Sequence, residues 1–392
     1  MACILIAVTH LLGSGHLVRA QHLARALAAA GHEVALASGG MPLRAAEGER
    51  LRFVQLPPVK VEGVDFRNLL DETGQPIDAA RRAARLDRLT GLARELAPDV
   101  VVTEHFPFGR RQMAGEFLEL IAAAKEVNPQ VLVLASIRDV LVAPRADRIA
   151  EAEHRLATHF DGVLVHGDAR LLPLDASWPV SAELAARLHY TGYLTAPEET
   201  APAAAAPQDE ASNAEILVSG GGSGAALPLF RLCIEAARLA GPLRPWRILV
   251  GRGTAAANFD ALRACAPEHV SVEWARPDFP ALLARCGVSI SQAGYNTVLD
   301  LVAARRPAIV VPFDAGNETE QAIRAEAMAK AELAQCLRLE GAEPLTAARL
   351  AAAVEKGLAA GTPPDLAIDR DGARGAVAAI ERLLMVRGTA RG

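Results

Sequence analysis

Three glycine-bearing segments carry the residue types from which a phosphate site can be built. The first is Gly13-Ser14-Gly15-His16, shortly after the aliphatic run Ile4 to Val8. The second is Ser219-Gly220-Gly221-Gly222-Ser223-Gly224-Ala225, directly after Ile216-Leu217-Val218. Glycine lets backbone N–H groups approach an anion, and a helix that follows adds its orphan N–H groups and the positive end of its dipole. Gly13 to Gly15 serves equally well as a plain strand-to-helix turn. The run from Gly220 to Gly224 is richer in glycine and serine than a turn needs, and points to a ligand. The third segment runs Ser291-Gln292-Ala293-Gly294-Tyr295-Asn296-Thr297-Val298-Leu299-Asp300. It places a glycine turn after a strand, Thr297 where it can cap the next helix, and Asp300 in about that helix's first turn. A carboxylate there accepts the hydrogen bonds of a ribose diol or simply complements the helix N-terminus.

Two familiar nucleotide motifs are excluded. In Gly13-x-Gly15 the third glycine of a dinucleotide fingerprint is replaced by Val18, and the next strand ends in Ser38-Gly39-Gly40 with no carboxylate for a ribose. The loop from Gly220 to Ala225 lacks the Gly-Lys-Ser/Thr of a kinase-type phosphate loop.

Such loops need strands to aim them, and the hydrophobic pattern supplies strands in alternation with helices. In the first half the pattern predicts strands at 4–8, 34–37, 54–56, 100–103, 131–135, 162–165 and 189–193. Between them it predicts helices at 17–29, 79–96, 115–127 and 147–158. Short runs that are apolar on both faces, alternating with amphipathic helices, indicate a doubly wound parallel α/β sheet. From 194 to 215 the chain loses its large apolar residues and is punctuated by proline, which marks a linker. The alternation then restarts, with strands at 216–218, 246–250, 270–274, 288–290 and 308–311. Helices are expected at 225–240, 258–265, 278–285 and 297–304. The expected organisation is a Rossmann-like domain over 1–193, a linker over 194–215, a second Rossmann-like domain over 216–366, and a C-terminal helix within 367–392 free to cross back to the first. The segment Val59 to Asp78 has charge but no periodicity, and is expected to be a mobile loop.

Bulk properties agree with this organisation. A chain of 392 residues with 51% hydrophobic and 22% charged side chains suits two globular domains and rules out extended disorder. A net charge of -5 argues against a dedicated nucleic-acid binder. Five cysteines, at 3, 233, 265, 286 and 336, have no zinc-type spacing and are an odd number, which fits reduced thiols in a cytoplasmic protein. No apolar stretch reaches the length of a membrane helix, so any membrane contact has to be peripheral.

The glycine loop ending in His16, the run Gly221-Gly222-Ser223-Gly224-Ala225, the series from Ser291 to Asp300, and Pro312-Phe313 ahead of Glu320-Gln321 together resemble GT-B glycosyltransferases of the family 28 C-terminal type. The resemblance spans nearly the whole chain. It implies two Rossmann-like domains facing a cleft, and an inverting, metal-independent transfer of a sugar from a nucleotide-sugar donor, UDP-linked, to a hydroxyl acceptor. Lipid-linked and cell-envelope glycans are the acceptors in view, reached from the inner face of a membrane. By the resemblance Gly221, Gly222, Ser223 and Gly224 hold the diphosphate, Gly294 and Thr297 shape the same site, Asp300 takes the ribose, and Glu320 and Gln321 meet the sugar hydroxyls. Arg252, at a strand end, is a candidate partner for the diphosphate, because guanidinium binds phosphate in a bidentate manner. No cofactor is required, and no Asp-x-Asp follows a strand end. Asp300 is one methylene shorter than the family's glutamate, and Glu320 carries a charge where the family has a neutral amide.

Transfer needs a base for the acceptor hydroxyl. His16 is the first candidate, because a helix N-terminus lowers an imidazole pKa and keeps it neutral. Glu104 and His105, after the strand at 100–103, are the second. Arg138-Asp139 and His166-Gly167-Asp168 also follow strands and are assigned structural or acceptor roles. Two other activities fit the same residues: a UDP-sugar 2-epimerase or hydrolase of the same fold, and a non-catalytic protein that binds nucleotide sugars.

Overall fold

Strands buried on both faces need helices above and below the sheet, and the chain provides them in alternation. The computed structural model describes residues 1–11, 14–43, 48–62, 68–142, 145–194, 215–221, 224–313 and 319–389. The predicted linker at 194–215 lies outside them except at its two ends, as do Gly13, Gly222 and Ser223. The chain divides into two units, Met1–Ala196 with Asp369–Gly392, and Pro197–Ile368.

In the first unit the elements are β1 (Cys3–Val8), α1 (Gly15–Ala29), β2 (Glu33–Ser38), β3 (Leu51–Gln55), α2 (Ala79–Leu96), β4 (Val100–Glu104), α3 (Ala114–Val127), β5 (Leu132–Arg138), α4 (Ala146–His159), β6 (Gly162–His166), α5 (Ala182–Ala185) and β7 (Leu188–Tyr190). The seven strands form one sheet in the order β3-β2-β1-β4-β5-β6-β7, and every pairing is parallel. Strand β1 shows why this sequence needs two helical layers. Its Ile4, Ile6 and Val8 join Leu17, Leu23 and Leu27 of α1 in one apolar cluster, while Leu5 and Ala7 join Leu89 and Leu92 of α2 in another. Each buried aliphatic side chain contributes about 1.5–3 kcal/mol, so leaving either face of the strand uncovered costs several such contributions.

The second unit holds β8 (Ile216–Ser219), α6 (Leu227–Ala240), β9 (Trp246–Val250), α7 (Ala256–Cys265), β10 (Val270–Trp274), α8 (Phe279–Arg285), β11 (Val288–Ser291), α9 (Tyr295–Ala304), β12 (Ala308–Val310), α10 (Glu320–Lys330), β13 (Gln335–Cys336) and α11 (Ala347–Ala359). Its sheet is parallel throughout, in the order β10-β9-β8-β11-β12-β13. The pattern-based reading has no counterpart for α10, β13 or α11. Strand β13 is two residues long, too short to show alternation, and α10 and α11 are built mostly of alanine and charged residues, which mark an apolar face weakly.

A last helix, α12 (Gly372–Thr389), returns to the first unit. Its Ala376, Ala379 and Ile380 are buried in the same cluster as β1 and α1. The seat is tight: a Cβ on Gly375 would collide with the Thr191 carbonyl, so only glycine lets the backbone approach this closely.

The segment Val59 to Asp78 differs from the expected mobile loop. Antiparallel bridges join Lys60 to Leu70 and Leu70 to Pro76, and Val59, Val61 and Leu69 are buried in the first unit's core. Apolar residues at irregular spacing anchor it, a pattern with no helix or strand period to detect; residues 63–67 lie outside the described residues.

Candidate functional site

In an open parallel sheet a binding crevice forms where the strand order reverses, outside the carboxyl ends of the strands that start the two opposite runs. That place lies between β1 and β4 in the first unit, and between β8 and β11 in the second. Each is lined by residues that the sequence singles out.

In the first unit, His16 is the second residue of α1 and Glu104 the last residue of β4. Glu104 belongs to the strand rather than to the loop after it. The two side chains meet, with His16 Nδ1 3.0 Å from Glu104 Oε1. Arg19, nearly one turn further along α1, donates to the same oxygen through Nε at 3.2 Å and also through Nη2. Ser136 stands opposite Glu104 in the β4–β5 ladder and donates to Oε2 at 2.5 Å. The carboxylate is 1% exposed and its two oxygens accept from three side chains. Arg19 Nη2 also lies 3.0 Å from His16 Nδ1. A guanidinium can only donate, so the two nitrogens converge as donors on one oxygen when Nδ1 carries the imidazole hydrogen. That tautomer leaves the Nε2 lone pair available to take a proton.

Electrostatics favour the same protonation states. Burial works against charge on Glu104, but Arg19 and the His16 hydrogen bond outweigh it and hold the carboxyl well below the usual range. Burial lowers His16 to about 4, with the Glu104 hydrogen bond opposing and Arg19 and Arg110 assisting. At neutral pH the pair is a carboxylate and an uncharged imidazole. His105 follows β4 in the left-handed region at φ 67°, an uncommon conformation for a side-chain-bearing residue. Its ring centroid is 5.0 Å from that of His16, its Nδ1 is buried without a hydrogen-bond partner, and burial holds it far below the ordinary histidine value. Arg110, also left-handed at φ 59°, is pushed down to about 10 by burial.

In the second unit, Gly221 follows β8 at φ 68°, and Gly224 opens a short 3-10 turn, Gly224–Ala226, that leads into α6. Gly220 packs so closely under this turn that a Cβ there would collide with Ala226 and Phe230. At the neighbouring strand end, after β11, Gly294 is the N-cap of α9. Thr297 therefore lies inside the helix and makes no capping bond, contrary to the expectation, because the helix starts two residues before it. Asp300 falls in the second turn of α9 and not in the first. The helix-dipole alternative for Asp300 weakens accordingly, since that effect fades within the first turn. Arg252 is exposed in the turn after β9, the strand beside β8. Glu320, the first residue of α10, is buried with its Oε2 3.8 Å from Arg324 Nη2, and the Arg324 guanidinium lies 5.8 Å from the centre of the Tyr295 ring. The Gln321 side chain accepts from the Phe313 backbone N–H at 3.0 Å, which leaves its amide hydrogens free to donate elsewhere.

Residues 215–367 match the glycosyltransferase family 28 C-terminal domain. The match covers most of the second unit and none of the first. A 54-residue stretch of the chain is 43% identical to the UDP-N-acetylglucosamine--N-acetylmuramyl-(pentapeptide) pyrophosphoryl-undecaprenol N-acetylglucosamine transferase of Rhodospirillum centenum, and the match spans 14% of each protein. The fold as a whole is that of GT-B glycosyltransferases. The calicheamicin glycosyltransferase CalG4 superposes with a TM-score of 0.60 at 18% identity, over 99% of this chain and 95% of its own. MurG of Acinetobacter baumannii gives 0.60 at 16%, over 97% and 100%. A transferase from Siraitia grosvenorii in complex with UDP gives 0.59 at 14%, over 98% and 100%.

Within the second unit the structure brings Gly221, Gly224 and Gly294 to the ends of adjacent strands, with Arg252 one strand further out and Glu320 and Gln321 at the start of α10. In the first unit it brings together His16, Glu104 and His105, and adds two residues absent from the sequence-based candidates for the base, Arg19 and Ser136. The signal for Arg19 was its i,i+3 spacing from His16, which puts both on one helix face. Ser136 declares itself only through the register that sets it opposite Glu104.

Proposed function

We propose that the chain is an inverting, metal-independent glycosyltransferase that moves a sugar from a UDP-linked donor to an acceptor hydroxyl. The observation that carries this reading is the His16–Glu104 pair at the β1/β4 reversal, in a chain most of whose second unit matches the family 28 C-terminal domain. Glu104 accepts the Nδ1 hydrogen, and His16 Nε2 takes the proton of the acceptor hydroxyl as its oxygen attacks the anomeric carbon. The bond from that carbon to the diphosphate breaks on the opposite face, and the diphosphate leaves with the electron pair. Its charge is received by the backbone of Gly221, Gly222, Ser223 and Gly224 ahead of α6, and by Arg252. Asp300 takes the ribose diol. The Gln321 amide donates to a sugar hydroxyl, and Glu320, paired with Arg324, accepts from another.

Metal-free transfer is supported by the resemblance to family 28 transferases and by these cationic and N–H groups at the diphosphate. The matched relative's name includes a pyrophosphoryl-undecaprenol acceptor, which supports a lipid-linked or cell-envelope acceptor met peripherally at a membrane surface. Among the described residues no helix is long and apolar enough to cross a membrane.

The test is a thermal-shift screen against UDP, dTDP, GDP and CDP and their sugars, followed by incubation with UDP-N-acetylglucosamine alone. Stabilisation by UDP, with at most slow hydrolysis in the absence of acceptor, is expected. An epimeric or rapidly freed sugar would assign the chain to the epimerase or hydrolase chemistry. No stabilisation by any nucleoside diphosphate would overturn the donor site itself.

A further inference from the structure

The Glu104 carboxylate is the end point of a hydrogen-bonded chain that continues into the first unit's core. Ser136 Oγ lies 2.5 Å from Glu104 Oε2 and 3.0 Å from His166 Nε2, and His166 Nδ1 lies 2.8 Å from Thr191 Oγ1. Glu104, Ser136, His166 and Thr191 are each no more than 1% exposed.

Proton counting fixes the direction of every link. Ser136 has one hydroxyl hydrogen, and an ionised carboxylate can only accept, so that hydrogen goes to Glu104. The Ser136 oxygen must then accept from His166, whose hydrogen sits on Nε2. His166 is uncharged, because burial lowers it to about 3. Its Nδ1 is therefore an acceptor, and Thr191 donates to it; the other acceptors in reach of that hydroxyl, the Gly192 and Val165 carbonyls, are farther, at 3.1 and 3.3 Å. All the bonds point one way, from Thr191 to His166 to Ser136 to Glu104, and chains of this kind polarise and strengthen each link.

We propose that Thr191, His166 and Ser136 are positioning residues for the base, holding Glu104 Oε2 so that Oε1 is presented to His16 Nδ1. This rests on the reading of His16 as the base. A carboxylate fixed by one oxygen cannot turn about its stem, and the remaining oxygen then selects the Nδ1–H tautomer of His16. Without that selection the imidazole reverts to the Nε2–H form of free histidine, whose Nε2 has no lone pair for the acceptor proton.

The experiment is nitrogen-15 NMR of the full chain labelled at histidine, comparing wild type with Ser136→Ala and Thr191→Val, each nearly isosteric, between pH 6 and 8. In wild type the hydrogen is expected on Nδ1 of His16 and on Nε2 of His166. In Ser136→Ala the His16 population shifts toward Nε2–H. In Thr191→Val, His166 loses its Nε2–H preference and His16 shifts in the same direction by less. Ser136→Thr, which keeps the hydroxyl, restores the wild-type pattern. An unchanged His16 tautomer in both hydroxyl-deleted variants, or a wild-type His166 carrying its hydrogen on Nδ1, overturns the proposal. The readout needs no substrate, so a chain with the expected tautomers and no turnover of any nucleotide sugar would sink the transferase reading while the relay stood.

Discussion

Lowering the pH should unlock the first unit through two histidines that the fold keeps uncharged. His166 is fully buried and held at about 3, and His16 is held at about 4, burial being the leading cause for both. An unfolded chain titrates histidine near 6.5. Below that value the unfolded state binds protons that the folded state refuses, so stability declines as pH falls from 6.5, and the decline from each group ends at its folded value. Each such group removes about 1.4 kcal/mol per pH unit. Two units below 6.5 that amounts to about 2.5 kcal/mol for each histidine, and about 5 kcal/mol for the pair, a large part of the 5–15 kcal/mol that holds a typical domain. Glu104 adds to the loss only below about 4.5, where the unfolded carboxyl begins to protonate while the folded one stays ionised. The assay is hydrogen exchange resolved by peptide, corrected for intrinsic exchange, which gives the opening free energy of β4, β5 and β6 separately from the second unit. His166→Gln should lower stability at pH 7 but flatten the decline, gaining about 2 kcal/mol relative to wild type between pH 6.5 and 4.5. Parallel lines for the two proteins would refute the reasoning, because they would mean that His166 takes its proton as readily folded as unfolded.

Glu104→Gln should leave the buried Arg19 guanidinium without its anion, costing about 3 kcal/mol in urea unfolding, and should abolish sugar transfer; a variant as stable as wild type would show that the ion pair holds nothing. Gly220→Ala forces the loop after β8 away from Ala226 and Phe230, so the UDP-dependent rise in Tm should vanish while circular dichroism stays native. Gly375→Ala pushes α12 off the Thr191 carbonyl, and the overpacking should cost the first unit about 1–3 kcal/mol by hydrogen exchange. Transfer measured as UDP release should be unchanged by EDTA; a loss restored by a divalent cation would refute the metal-free mechanism.

The legible and illegible parts of this molecule divide on physical lines. Strands such as Ile4 to Val8 are apolar on both faces because both faces are covered, and such runs stand out in any window. His16 and the Glu104-His105 pair could be found because a parallel sheet sends its strand ends to one edge, and polar residues just past an aliphatic run are conspicuous there. Arg19 was hidden because an arginine on an amphipathic helix ordinarily faces water; only the tertiary pairing with β4 buries it. Thr297 was misplaced because hydroxyls mark helix starts, whereas here a glycine occupies the cap. Ser136 and His166 required the strand register, which depends on which strands are neighbours and is not written in any single segment.

The return of α12 to the first unit has a consequence for how the protein is made. The sheet of that unit emerges from the ribosome early, but the helix that covers Ile4, Ile6 and Val8 alongside α1 is synthesised only after the entire second unit. Domains generally fold as units during synthesis, so the second unit can complete its core while the first still waits with an uncovered apolar stripe. A message truncated near residue 368 would yield a sound second unit attached to an unfinished first one, and the half that carries His16 and Glu104 would be the half exposed to proteases and chaperones.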